Sequence, residues 1–358
     1  GTRYPTGIVT PSLINPELTW EKSTTKNLGF DFTFLQNRLT FCADIFERKV
    51  TDILIPGGKD YPALIGDDNL PFENAGVLKT TGFELQAKWS DKLSNGFAYS
   101  VGVALSDDKA EVLSYPSNPT NKIGDGVLYK GYTVGDIWGY ETGGILQESD
   151  FDGVGPNGKP LYHGAYFKGG QPYPGYVWYQ DLDHDGVITS GLSTVDDPGD
   201  KKVIGNNAPR YRYNITANFQ YKGFDLDLMF QGVGKRDYWL KDVSSYWGGG
   251  AGSWETYNQS WTPERTDAKF PMYGSGIGSY AQSGYLLDAS YIKLKQVILG
   301  YTFPKALIGK VGLEKLRLNI AAYNLFTLSD VPKYYDSDYL SDAYPPKRTF
   351  SVGIQVGF

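Results

Sequence analysis

The stretch that decides the fold runs from Pro209 to Gln231 and reads PRYRYNITANFQYKGFDLDLMFQ. Every second residue from Tyr213 to Tyr221 is apolar or aromatic: Tyr213, Ile215, Ala217, Phe219 and Tyr221. Their alternates Arg212, Asn214, Thr216, Asn218 and Gln220 are polar. After Lys222-Gly223 the alternation resumes. Phe224, Leu226, Leu228 and Phe230 oppose Asp225, Asp227 and Gln231, and Met229 interrupts the polar set. Side chains alternate faces along a strand, so this segment reads as a β-hairpin with one apolar and one polar face. Something must cover the apolar face: another sheet, a helix layer or lipid.

The pattern recurs along the chain. Strands are expected at 28–34, 39–45, 81–89, 97–105, 213–221, 224–230, 290–303, 316–322 and 350–358. Within 290–303 the apolar phase flips between Leu294 and Val297, which a bulge near Gln296 would reconcile. The connections alternate in length. Short ones fall at 36–37, 91–96, 222–223 and 304–314, and long ones at 55–78, 109–208, 235–286 and 327–346. Loops beyond ~12–15 residues are uncommon in compact soluble domains, whereas short turns on one side and long loops on the other mark outer-membrane barrels. Phe34, Trp89, Phe97, Tyr221, Phe224, Tyr301 and Phe303 collect beside the short turns, as an aromatic belt at one membrane interface would.

Composition is consistent with this. The chain of 358 residues holds 28 Tyr, 44 Gly and 20 Pro, which implies aromatic strands and many turns. No stretch approaches the ~20 apolar residues of a membrane-spanning helix, but a barrel strand needs only ~9–11 alternating residues. The net charge of −6 and the lack of any basic run argue against nucleic acid as a partner. The single cysteine, Cys42, forms no internal disulfide and reads as an inert strand thiol. The opening residues lack a signal peptide and read as the interior of a longer chain. Lipid is therefore the expected cover for the apolar face. The polar face, with Asp31, Asp44, Glu84, Lys88, Arg212 and Asn218, is expected to line a wet interior.

Several segments, in order, carry a family resemblance: NPELTWEKSTTKNLGFDFTFLQNRLTFCADIFERKVTDIL (15–54), NAGVLKTTGFELQAKW (74–89), GYTVGDIWGYETGGILQ (131–147), DLDHDGVITSG (181–191), KKVIGNNAPRYRYNITANFQYKGFDLDLMFQG (201–232), YIKLKQVILGYTFPKAL (291–307) and LRLNIAAYNLFTLSD (316–330). Together they resemble the C-terminal half of a SusC/RagA-type TonB-dependent outer-membrane transporter of the Bacteroidetes. The resemblance implies an all-β, antiparallel up-and-down transmembrane barrel of about 22 strands around a plug. Residues 1–358 would supply the last nine strands, with 109–208 as a long extracellular loop. The plug domain and the first strands would lie outside this chain. The terminal Phe358 resembles the aromatic signal read during barrel insertion. The resemblance also implies a SusD-like surface lipoprotein as a lid, TonB engaged through the missing N-terminal part, and residence in the cell outer membrane.

Two loop features carry candidate chemistry. Asp181, Asp183 and Asp185 with Gly186 match the first half of a calcium loop, D-x-D-x-D-G, in which alternate carboxylates converge on one hard cation. The closing Glu is replaced by Leu192, so Asp196, Asp197 or Asp200 would have to substitute. The loops are also rich in aromatics, whose flat rings suit sugar faces or peptide backbones. Tyr176, Trp178, Tyr179, Trp239, Trp247 and Trp254 are the substrate-binding candidates. His163 and His184 lack second ligands at metal spacing, and no nucleophile motif is present, so no enzymatic activity and no required cofactor are expected. The expected function is import of oligosaccharides or peptides. The competing expectation is a soluble or surface-attached all-β glycan-binding protein or glycosidase.

Overall fold

The computed structural model describes residues 15–57, 71–239, 257–275, 280–332, 335–340 and 346–358. Nine long strands form one sheet: β1 (Lys22–Phe34), β2 (Leu39–Pro56), β3 (Phe72–Lys92), β4 (Ala98–Ser114), β5 (Arg210–Tyr221), β6 (Phe224–Lys235), β7 (Tyr291–Thr302), β8 (Lys315–Ser329) and β9 (Thr349–Gly357). Their order in the sheet is their order in the chain, and every pair is antiparallel. This is the up-and-down meander of a barrel wall, open between β1 and β9.

Register places the two chemistries on opposite faces. Leu299 pairs with Ile320 and Ile320 with Val352. Phe32 pairs with Phe41, and Leu28 with Ile45. Leu28, Phe30, Phe32, Phe34, Ile45, Val101, Val103, Leu299, Ile320, Phe350, Val352 and Ile354 are all exposed, Val352 at 81 %. A soluble monomer rarely exposes so much contiguous apolar surface. Among the described residues, charge on this face stands toward the strand ends, with Asp91 meeting Arg38 at 3.5 Å beside the short turns and further pairs toward the loop end. There Lys26 meets Glu47 at 3.7 Å, and Asp107 is buried under Arg210 at 2.5 Å. The opposite face carries paired polar groups: Arg317 with Asp225 at 2.5 Å, Arg212 with Asp108, and Asn218 with Asp227.

The expected bulge is present, with the β7–β8 register shifting between Leu294 and Gln296. The aromatics at the short turns pack on one another: Phe97 against Tyr221 at 6.2 Å, Phe224 against Tyr301 at 4.5 Å, and Tyr301 against Phe303 at 4.9 Å. The strands outrun the sequence expectation at their loop ends, where β2 continues to Pro56 and β3 begins at Phe72. Asp52 has φ +60° there, and the Asn74 side-chain amide donates to its carbonyl at 2.7 Å. That hydrogen bond holds the ladder together across a break in alternation.

One expected result follows directly. Ile320→Arg puts a cation at mid-strand on the outward face and should cost about 2–4 kcal/mol of stability in lipid. Arg at the neighbouring inward position Asn319 should cost far less. Urea unfolding of the vesicle-embedded protein measures both, and equal costs would contradict a lipid-facing Ile320.

Candidate functional site

The long connections are not structureless. Asp136–Tyr140 pairs with Lys201–Asn206, Thr142–Ile145 with Val177–Tyr179, and Phe151–Val154 with Pro160–Tyr162. Val187–Ile188 lies parallel to Tyr166–Phe167. A small core of Tyr140, Val177, Tyr179 and Ile188 sits between these pairs. The next loop seals this core. Gln282 is fully buried and donates to the Tyr179 hydroxyl at 3.2 Å, and the Thr142 N–H donates to Ser283 Oγ at 3.0 Å. Trp261 Nε1 donates to Gln147 Oε1 at 2.9 Å. The loops after β4 and β6 thus form one pad over the loop end of the wall.

The aromatic candidates divide by position. Tyr179 is 2 % exposed and its hydroxyl pKa is pushed far up by burial, so it serves the core and offers no ring to a ligand. This corrects its place among the binding candidates. Tyr140 beside it is pushed up to about 12, again chiefly by burial. Trp178 is half-buried with its ring over Gly143, where any Cβ would collide with the indole. Tyr176 stacks obliquely on Tyr173 at 5.5 Å, and Trp239 is half-buried in a short pair with Leu286–Asp288. Trp247 and Trp254 lie outside the described residues. The rings that do face solvent include Tyr166, Tyr211, Tyr257, Tyr273, Tyr280 and Tyr339. Val177 and Tyr179 flank Trp178 with strand alternation, which is the signal that separates core from surface here.

The acidic loop folds as its glycine predicts. Gly186 has φ +85° and its N–H donates to Asp181 Oδ2 at 2.8 Å. Asp181, Asp183 and Asp200 bring carboxylate oxygens within 4.8 Å of one another. Asp200, one of the three substitutes weighed for the missing Glu, is therefore the distant member of the cluster. Asp185 is not in it, and its Oδ1 accepts the Val187 N–H at 2.8 Å. Asp200 is 0 % exposed, and its two oxygens accept the Leu182 and Thr189 N–H groups, each at 2.7 Å. Asp181 Oδ1 is buried with no hydrogen-bond partner. A buried oxygen left unpaired among carboxylates is costly unless a cation takes it. Burial acts to raise the Asp181 pKa, but the amides of Gly186 and His184 outweigh it and hold the carboxyl below its ordinary value. For Asp183 the Asp185 amide works to lower the pKa, yet desolvation and the charges of Asp200 and Asp185 push it up. An all-oxygen set with one orphaned acceptor fits calcium. His163 contacts Asp152 at 2.6 Å on the exposed neighbouring hairpin and takes no part in this cluster.

At the loop end of the wall the inward face opens a cleft of about 550 Å³. It is lined by Asp44, Glu84, Arg212, Asn214, Arg236 and Tyr291 among others. Carboxylates and guanidiniums stand on different strands of the same wall, which suits polar contents.

A nine-stranded antiparallel wall, apolar outside and polar inside, with short turns at one end and a folded loop pad at the other, defines part of a transmembrane β-barrel. The model of the TonB dependent receptor-like β-barrel family matches residues 1–325, and the chain belongs to that family. It is 27 % identical to TonB-dependent receptor P3 of Formosa agariphila over 100 % of this chain and 36 % of that protein. It is 26 % identical to TonB-dependent receptor SusC of Bacteroides thetaiotaomicron, over 97 % of this chain and 33 % of that protein. Among solved structures, the RagAB peptide transporter matches with TM-score 0.71 at 20 % identity, covering 96 % of this chain and 36 % of that one. That last likeness establishes the fold. The chain spans about a third of the length of the relatives it matches.

Proposed function

We propose that this chain forms part of the wall and the external loop pad of a TonB-dependent importer of oligosaccharides or peptides in the cell outer membrane. The observation that carries the reading is the single sheet with an exposed apolar outer face and a polar inner face. Lipid covers the first, and the second faces a plug supplied by the remainder of the protein, through which TonB acts. A SusD-like surface lipoprotein closes the loop pad from outside. The exposed tyrosines of the pad and the polar cleft below it contact the substrate during passage. Relatives named as receptors and a neighbour named as a peptide transporter support transport without chemistry on the substrate. The acidic loop holds a calcium ion through Asp181, Asp183 and Asp200, and the ion fixes the loop against the core below it. The outer face disfavours the soluble glycan-binding or glycosidase reading, since nothing among the described residues covers it.

Cell fractionation followed by peptide mass spectrometry tests the placement. Peptides of this chain are expected in the outer-membrane fraction, within a band far heavier than 39.7 kDa. Recovery in the soluble fraction at that mass would overturn the importer reading and restore the soluble alternative.

A further inference from the structure

The short links of the wall are not alike. Residues 36–37 and 94–96 form plain turns with one exposed aliphatic beside each, Leu35 and Leu93, and Lys222–Gly223 has none. The link between β7 and β8 is different. A short helix, Lys305–Ile308, runs into a 3₁₀ turn, Gly309–Val311, and stops at Gly312 with φ +75°. Its backbone is tied at both ends. The Phe303 N–H donates to the Leu316 carbonyl at 2.9 Å, and the Glu314 N–H to the Gly357 carbonyl at 2.9 Å. Ile308 is buried. Leu307 in the helix and Val311 in the 3₁₀ turn remain 59 % and 72 % exposed. A pinned segment that buries one aliphatic and holds two in the open presents them to something.

We infer that this link is an interfacial foot: Leu307 and Val311 insert into the inner leaflet of the bilayer while Lys305 and Lys310 bind lipid phosphates. The inference rests on the membrane reading above. Two observations select lipid as the occupant. First, the foot continues the lipid-facing surface. It follows the Phe224–Tyr301–Phe303 ring cluster directly, and Tyr301 pairs with the outward Leu318. Second, its charge is opposite to that of the chain. Residues 304–315 carry Lys305, Lys310 and Lys315 against Glu314, a net of +2, within a chain of net −6. Aliphatics flanked by lysines at a membrane boundary are the pattern of an interfacial anchor.

Nitroxide labels on cysteines at Leu307 and Val311 of the full-length transporter, in vesicles of phosphatidylglycerol and phosphatidylethanolamine, test this. Labels at Ile320 and Ser94 serve as lipid and water references. Labels at 307 and 311 should lie about 5–10 Å below the phosphates by oxygen against nickel-chelate collision, shallower than the mid-strand Ile320 label and unlike the aqueous Ser94 label. Aqueous values at both positions with Ile320 in lipid would overturn the foot alone. Shielding from both collision partners would mean a protein contact and would overturn it too. An aqueous Ile320 would overturn the membrane reading and the foot together. Lys305→Glu with Lys310→Glu should make the labels shallower in phosphatidylglycerol vesicles and leave them unchanged in phosphatidylcholine. An identical depth in the anionic vesicles would refute the phosphate contact.

Discussion

Replacing Lys293 by Met should release the loop after β8 from the barrel wall. Lys293 sits near the loop end of β7 and is 3 % exposed. Its ammonium donates to Asp336 at 2.7 and 2.9 Å and to Asp338 at 2.8 Å. Lys295 adds a longer contact to Asp338 at 3.3 Å. The cluster pins residues 335–340 beside Ala289, Val331 and Leu340. Removing the central cation leaves Asp336 and Asp338 together in a site with little solvent, with the longer Lys295 contact alone to offset their charge. Breaking a buried pair from one side costs about 3–5 kcal/mol, more than the replaced aliphatic contact returns. Amide exchange across 335–340 should therefore quicken by roughly a hundredfold or more, with the wall strands unaffected. Exchange at the wild-type rate would mean that the apolar contacts of Val331 and Leu340 hold the loop unaided.

Acid should imitate that substitution. Burial acts to raise the Asp338 pKa, but hydrogen bonds from Lys293 and Tyr291 outweigh it and hold the carboxyl below its ordinary value. A carboxylate with a depressed folded pKa lends stability that is fully present above its unfolded value, about 4, and is lost as pH falls through the folded one. Loop protection should be flat from neutral pH down to that range and decline only below it. In Lys293→Met the decline should begin at higher pH, because the cation that depresses Asp338 is gone.

The wall was legible in the sequence because its physics is local and periodic. Alternation at 213–221 and 224–230 sets faces, the two-residue turn sets register, and the phase flip after Leu294 announces the bulge seen between Leu294 and Gln296. The outer ends of β2 and β3 were not legible. Glu73 and Asn74 belong to the ladder and Asp52 sits in its bulge, yet all three break the alternation, since they stand above the lipid, where no apolar face is demanded. The loop pad was legible only in fragments. Asp181, Asp183 and Gly186 announce a turn that gathers carboxylates, but which later acid completes it depends on how the chain returns. The return is set by Ile188 entering the Tyr140–Tyr179 core and by the N–H groups of Leu182 and Thr189 closing on Asp200. Aromatic content likewise marks a pad without saying which rings face outward. Alternation puts Tyr179 and Trp178 on opposite faces of a short strand, but only packing decides that the Tyr179 face is the core and that Trp178 lies over Gly143.

Calcium should bind the 181–200 loop and order it, and Asp181→Asn should largely abolish this. Asp181 Oδ2 is occupied by the Gly186 N–H, so Oδ1, the orphaned oxygen, is the atom left for a cation. The Asn variant can keep the amide contact while removing the charge, which separates loss of binding from loss of the turn. Asp200→Asn is a harsher test, because both of its oxygens already serve backbone donors in a fully buried position. Extracellular calcium modules bind at about 10⁻⁴–10⁻³ M, and that range is expected here. At a hundredfold excess of ion over Kd the loop gains about 2.7 kcal/mol. Titration calorimetry on the full-length protein should show the site, and Asp181→Asn should weaken it by at least about tenfold, as loss of one charged oxygen among few ligands does. Magnesium should substitute poorly, since it demands a tight octahedron that an exposed Asp183 and two amide-anchored carboxylates, Asp181 and Asp200, do not supply. Chelation should quicken amide exchange at 181–200 and, through Ile188, at Val177–Tyr179, while leaving β5 and β6 unchanged. Equal exchange with and without calcium, together with a silent titration, would show that the three carboxylates are held by their backbone amides alone.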